Sequence, residues 1–220
     1  MGRVTGTVEK ISDSVYHLPD VVGGPTILLG DGVIVVDTGV PGSETAILAA
    51  VQELGRDAAD VTDIVITHAD GDHVGGLAAL VEATGATVWA PTHEADVIEG
   101  IAPARSGDVQ RRTGVDRRFE PGETIPLHGG IETHDTHGHT IGHVSLLLPA
   151  ERILIVGDAL NNRSGLGGSP PENTADADDA RAAVAALAAL RPDTIVFGHG
   201  PSIVGDAAER LEAFDASLGG

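Results

Sequence analysis

The chain has 220 residues, enough for one sizeable core, and a mean hydropathy near zero, as expected of a globular protein. It has no cysteine, no apolar run long enough to cross a bilayer, and a formal net charge of -20, with twelve arginines but a single lysine, Lys10. These facts exclude a disulfide framework and a thiolate nucleophile or metal site, and they disfavour nucleic acid or an anionic membrane as partner.

Residues 3–37 alternate short β-type runs with turn signals. Thr26-Ile27-Leu28-Leu29, Gly30-Asp31-Gly32 and Val33-Ile34-Val35-Val36 read as a hairpin, closed by Asp37-Thr38-Gly39. Ser43 is placed to cap a helix over about 44–55, with Glu44 in its first turn and Gly55 at its end. Asp63-Ile64-Val65-Ile66 reads as a buried strand. It delivers Thr67-His68-Ala69-Asp70-Gly71-Asp72-His73-Val74-Gly75-Gly76, after which a helix is predicted to about Ala83. Thr87-Val88-Trp89-Ala90 is another strand, and Thr92 opens a short helix. Residues 100–120 show no clean period and carry Arg105, Arg111, Arg112, Arg117 and Arg118. Strands follow at Ile131 to Thr136, Val144 to Leu148 and Ile153 to Val156. Asp176 to Leu190 is an alanine-rich helix with its acids at the N-terminal end, where they favour the helix dipole. Thr194-Ile195-Val196-Phe197 is the last strand, and a helix closes the chain over about 206–217. Interleaved strands and helices in both halves predict an α/β fold of two sheets packed face to face with helices outside, as a single domain over 1–220.

The residues that carry chemistry cluster at strand ends. His68, Asp70, Asp72 and His73 share one strand-to-helix loop, and such spacings can aim side chains at two points a few Å apart, as two-metal hydrolases need. A second cluster runs His134-Asp135-Thr136-His137-Gly138-His139-Thr140-Ile141-Gly142-His143; Gly157-Asp158-Ala159 and Gly198-His199-Gly200 follow later strands. Without thiolates, a metal here is held by imidazole and carboxylate, which suits zinc, iron or manganese.

Five segments in order resemble the metallo-β-lactamase superfamily: Val33 to Gly39, the His68-to-Gly76 loop, Gly138 to His143, Val156-Gly157-Asp158 and Gly198-His199-Gly200. The resemblance covers nearly the whole chain. It implies an αβ/βα four-layer sandwich with the site on one edge and two divalent metal ions, zinc first, with iron or manganese as alternatives. It implies one metal held by His68, Asp70 and His139, a second held by Asp72, His73 and His199, and Asp158 bridging the two. Asp37 would orient ligands by hydrogen bonds. Position 70 departs from the pattern, because most hydrolytic members carry His there. With three aspartates and a bridging hydroxide against two divalent cations the centre is neutral, where the His version would carry one positive charge. That change favours harder ions and lowers a bound water's pKa less.

Several residues support two readings. His143 is a substrate-binding candidate or a structural histidine. His134 and His137 are expected to be loop or strand residues, and His17, His93 and His128 ordinary surface or partly buried histidines. Asn161 and Asn162 line the groove or serve a turn. The arginines at 105–118 grip an anionic group of the substrate or pair with an acidic surface. Ser164 to Pro171 is either a mobile loop over the site or a plain connection.

The expected activity is metal-dependent hydrolysis of a small ester, thioester or lactone by a metal-bound hydroxide, with Asp72 as a further proton carrier on the strength of the resemblance alone. An iron-dependent oxidoreductase, mononuclear and sulfur dioxygenase-like or diiron, is the rival that a carboxylate at 70 suggests. The short chain after His199 argues against a flavin domain and against the helical C-terminal domain of glyoxalase-II-like enzymes. The partner is a small molecule, not nucleic acid or membrane, and self-association as a homo-oligomer is left open. Met1-Gly2-Arg3 leads straight into Val4-Thr5-Gly6-Thr7-Val8 without a basic-then-apolar leader, so a cytoplasmic location is expected and antibiotic hydrolysis is not. Asp-rich, Lys-poor composition resembles proteins of salt-in halophiles; the plainer explanation is the Ala, Arg and Asp usage of a high-GC genome.

Overall fold

Val33, Val35 and Val36 are almost wholly buried, and the run that contains them lies at the centre of a seven-stranded sheet. The computed structural model describes residues 7–105 and 112–219, which fall into two compact units, Met1–Phe119 and Glu120–Gly220. In the first unit the strands are β1 (Glu9–Lys10), β2 (Val15–His17), β3 (Thr26–Leu29), β4 (Val33–Val36), β5 (Val61–Val65), β6 (Thr87–Pro91) and β7 (Arg117–Phe119), paired in that order. Strands β1 to β4 are antiparallel, and β4 to β7 run parallel. The predicted hairpin is present, with Leu29 opposite Val33 and Thr26 opposite Val36.

Parallel pairing requires crossovers, and helices supply them. They are α1 (Glu44–Glu53), α2 (Gly71–Val74), α3 (Leu77–Thr84) and α4 (Thr92–Ile98). Ile47 and Val51 of α1 and Leu77 and Leu80 of α3 pack into one cluster with Ile27, Val35, Ile64 and Val88 of the sheet. One expectation needs correction here: Ser43 precedes α1 with helical dihedrals, and its side chain makes no capping bond. The helix predicted after Gly76 to about Ala83 is present as α3. Gly75 and Gly76, just before it, pass too close to other backbone to carry a side chain. A Cβ on Gly75 would lie 2.5 Å from both Gly71 O and Pro41 N, and one on Gly76 2.4 Å from Thr38 O.

The second unit holds β8 (Thr124–Ile125), β9 (Ile131–Asp135), β10 (Val144–Leu148), β11 (Ile153–Ile155), the small pair β12 (Leu160–Asn161) and β13 (Gly167–Gly168), helix α5 (Ala177–Ala189), β14 (Thr194–Val196), β15 (Ile203–Val204) and helix α6 (Ala207–Leu218). Its main sheet has the order β15-β14-β11-β10-β9-β8, with β11 and β14 parallel. Helix α5 starts at Asp176, whose carboxylate accepts from the backbone N–H groups of Asp178 and Asp179. This supplies acceptors to two of the helix's unpaired donors. Val184 and Leu187 of α5 and Leu211 of α6 join Leu154, Ile195 and Phe197 in the core of this unit.

Strand β7 lies in a segment for which no element was predicted. Its two arginines are exposed and only Phe119 is buried, so an edge strand leaves little alternation to read. Within Ser164 to Pro171, Gly167 and Gly168 pair with Asn161 and Leu160, so part of this segment is a short hairpin.

Candidate metal centre

Asp37 follows the last residue of β4 with φ of 57°, a left-handed conformation uncommon outside glycine. The turn aims its carboxylate at the end of β5. Oδ1 accepts from the backbone N–H of Thr67 at 2.8 Å, and Oδ2 accepts from Thr67 Oγ1 at 2.7 Å. His73 Nδ1 lies 2.8 Å from the same Oδ2. Thr67 Oγ1 is also 3.0 Å from His68 Nδ1. A hydroxyl that donates to Asp37 is free to accept from His68, so this network places the proton of both imidazoles on Nδ1 and turns both Nε2 lone pairs outward. The two rings lie 4.0 Å apart, and Asp37, His68 and His73 have ligand-type atoms within 4.8 Å of one another.

The backbone of the loop is tied down as well. Thr38 donates to His73 O through both its N–H (2.7 Å) and its hydroxyl (2.8 Å). Asp70 O accepts from the N–H groups of His73 and Val74, which starts α2. Gly23, with φ of 86°, packs so closely on Asp72 that a Cβ there would fall 1.8 Å from Asp72 O. The Asp70 carboxylate is bonded by the Arg105 guanidinium through Oδ2, which also lies 3.9 Å from His68 Nε2.

In the second unit Asp158 lies just beyond β11, His199 just beyond β14, and His139 in the turn between β9 and β10. Asp158 Oδ2 is 3.2 Å from His199 Nε2 and 3.6 Å from His139 Nε2. His139 Nδ1 contacts Ser169 Oγ at 2.8 Å, which again leaves Nε2 as the ligating atom. An imidazole lone pair facing a carboxylate oxygen is repelled unless a proton or a cation lies between them. Two such nitrogens on one oxygen form a donor set that fits a divalent ion. Asn162 holds the His199 loop, with its N–H on His199 O (2.8 Å) and its Nδ2 on Pro201 O (2.7 Å).

His143 takes the structural one of its two readings. Its ring is fully buried, Nδ1 is 2.8 Å from Thr136 Oγ1, and Nε2 accepts from the backbone N–H of Asp158 at 3.0 Å. Both nitrogens are committed inside the protein, so His143 positions Asp158 and has no nitrogen to offer a substrate. His17, expected at or near the surface, is also fully buried, with Nδ1 3.2 Å from Glu9 Oε2. His134 lies in β9 and His137 in the turn that follows it, as expected of strand or loop residues. Burial pushes the His134 pKa down against the pull of Glu132, and the hydrogen bond that His137 donates to the Asp135 carboxylate raises that of His137. Asn161 donates to Gly168 O at 2.6 Å, within the hairpin. Among the arginines, Arg118 pairs with Asp96 and Glu99, the Arg112 side chain packs over Gly100, and Arg111 lies outside the described residues.

The description that matches this chain in a comparison with protein-family models is "Metallo-beta-lactamase superfamily", over residues 20–199. The chain belongs to the metallo-β-lactamase superfamily. Members of this superfamily are mostly metallo-hydrolases and typically bind divalent metals. Metallo-beta-lactamase domain-containing protein 1 of Xenopus laevis is 31% identical over 186 residues, covering 81% of this chain and 71% of that protein. Hydroxyacylglutathione hydrolase of Jannaschia sp. (strain CCS1) is 36% identical over 109 residues, 49% of this chain; the match spans only 37% of that enzyme's length. Among solved structures, a metallo-beta-lactamase from Pontibacter korlensis superposes with a TM-score of 0.78 at 21% identity, over 98% of this chain and 99% of that one. The likeness shows the metallo-β-lactamase fold and bears out the expected α/β sandwich. Among the described residues no helix is long and apolar enough to cross a membrane.

Knowing the superfamily, the supporting residues that sequence reasoning missed stand out. Thr67 could have been found, since it directly precedes His68 at a strand end. Glu94 and Ser169 could not. Glu94 is buried and accepts from Ala69 N–H at 2.8 Å from a helix 25 residues on, and Ser169 is 30 residues from the histidine it holds.

Proposed function

We propose that this superfamily member is a metal-dependent hydrolase of small esters, thioesters or lactones. The observation that carries the reading is the set of Nδ1 contacts, which presents Nε2 of His68, His73 and His139 as ligating atoms. His68, Asp70 and His139 would hold one ion, Asp72, His73 and His199 the other, with Asp158 shared. Bound there, a divalent ion lowers the pKa of water and polarises a carbonyl oxygen. The chain's own residues hold that chemistry in place. Asp37 fixes the His73 ring directly and the His68 ring through Thr67, Ser169 fixes a third ring, and His143 fixes the backbone of Asp158. Asp72, at its carboxylate, would pass a proton to the leaving group. The thioester class gains support from the relative named hydroxyacylglutathione hydrolase.

The carboxylate at position 70 favours a second reading, an iron-dependent oxidoreductase on the same fold, because carboxylate-rich sites suit harder ions. The acidic composition supports a cytoplasmic, salt-adapted protein that acts on a small molecule. Metal quantification of protein purified at high salt, paired with a panel of lactones, thioesters and phosphodiesters, decides between the readings. Stoichiometric zinc with chelator-sensitive turnover of a lactone, ester or thioester is the expected result. Stoichiometric iron with oxygen-dependent thiol chemistry would replace the hydrolase reading with the second one, and absence of bound metal would end both.

A further inference from the structure

Arg105 is set apart from the neighbouring arginines by its partner. Arg118 bonds Asp96 at 2.7 Å and Glu99 at 2.6 Å, as an acidic surface dictates. The Arg105 guanidinium instead bonds Asp70 Oδ2, the oxygen that lies 3.9 Å from His68 Nε2. The Asp70 side chain is only 14% exposed, so solvent screens this pair less than it screens the surface pairs.

Charge decides what such a pair does. The Asp70 carboxylate brings one negative charge, and an arginine, which does not deprotonate in proteins, offsets it. Asp70 and Arg105 together therefore carry no net charge. The guanidinium also engages lone pairs that a cation would use, and its own charge repels a divalent ion at short range.

We propose that Arg105 is a positioning residue that holds Asp70 as a charge-neutral pair, weakening the metal site to which Asp70 belongs and leaving the two sites unequal. The inference rests on the metallo-hydrolase reading. It is tested by stepwise zinc titration of the full chain at high KCl, where long-range charge effects are screened and turnover plays no part in the readout. Arg105→Gln is expected to tighten the weaker site on the order of 10–100-fold, the scale at which groups around a ligand act on metal affinity. Arg105→Lys should keep the wild-type value. Arg118→Gln, which removes the same charge elsewhere, should leave it unchanged. In an Asp70→Asn background, Arg105→Gln should have no further effect. An unchanged or weaker site in Arg105→Gln, an equal shift in Arg118→Gln, or an effect that survives Asp70→Asn would each overturn the proposal. A wild-type chain that binds no zinc, iron or manganese would instead remove the metallo-hydrolase reading itself, and this inference with it.

Discussion

Asp37 accepts three hydrogen bonds on two oxygens, and two of its donors are His73 and the Thr67 that contacts His68. Asp37→Asn keeps the shape and leaves one carbonyl oxygen to serve three donors. The amide's own N–H must then face one of them. We expect metal affinity to fall on the order of 10–100-fold, with a stability loss of about 1–3 kcal/mol, read by metal titration and by urea unfolding. Unchanged metal binding would mean that the imidazoles are oriented by something else. At this scale the ligand-type residues were readable, because His and Asp beside glycine at strand ends are rare enough to notice. Roles that depend on tertiary contact were not. His143 has the same spacing from His139 as a ligand might, and only its two internal bonds show that it serves Asp158.

Among the elements, Gly23 and Gly85 make a controlled comparison. Both have positive φ, 86° and 72°, but an added Cβ at Gly23 would meet Asp72 O at 1.8 Å, whereas nothing lies within 4 Å of one at Gly85. Gly85→Ala should therefore cost only the backbone term, about 1–2 kcal/mol. Gly23→Ala adds overpacking against the ligand loop and should cost about 3 kcal/mol or more, with weaker metal binding besides. Denaturant midpoints of the two variants test this, and equal losses would show that the approach to Asp72 relaxes at no cost. Buried runs such as Val33–Val36 and Ile153–Ile155 were legible because their composition allows little else. Strand β13, made of two glycines, was not, since glycine is depleted in strands and only the pairing with β12 creates the element.

For the whole molecule, 33 acids against 13 basic residues set a repulsion that every folded contact must overcome. Raising KCl from about 0.1 M to about 2 M shortens the Debye length well below 10 Å and should raise the melting temperature of the apo chain. A melting temperature that is flat or falls with KCl would count against the salt-adapted reading. Strand direction carries a separate, practical consequence. Strands β4, β5 and β6 run parallel, so Asp37 and the His68 loop leave the sheet at one edge while the turn after α3 returns the chain to the other. Ala83 lies exposed on the last turn of α3, beside that second edge, in a chain with no cysteine of its own. A thiol introduced there would be unique in the chain, giving a spectroscopic probe or a surface tether one attachment point at the sheet edge opposite the one where Asp37 and the His68 loop emerge.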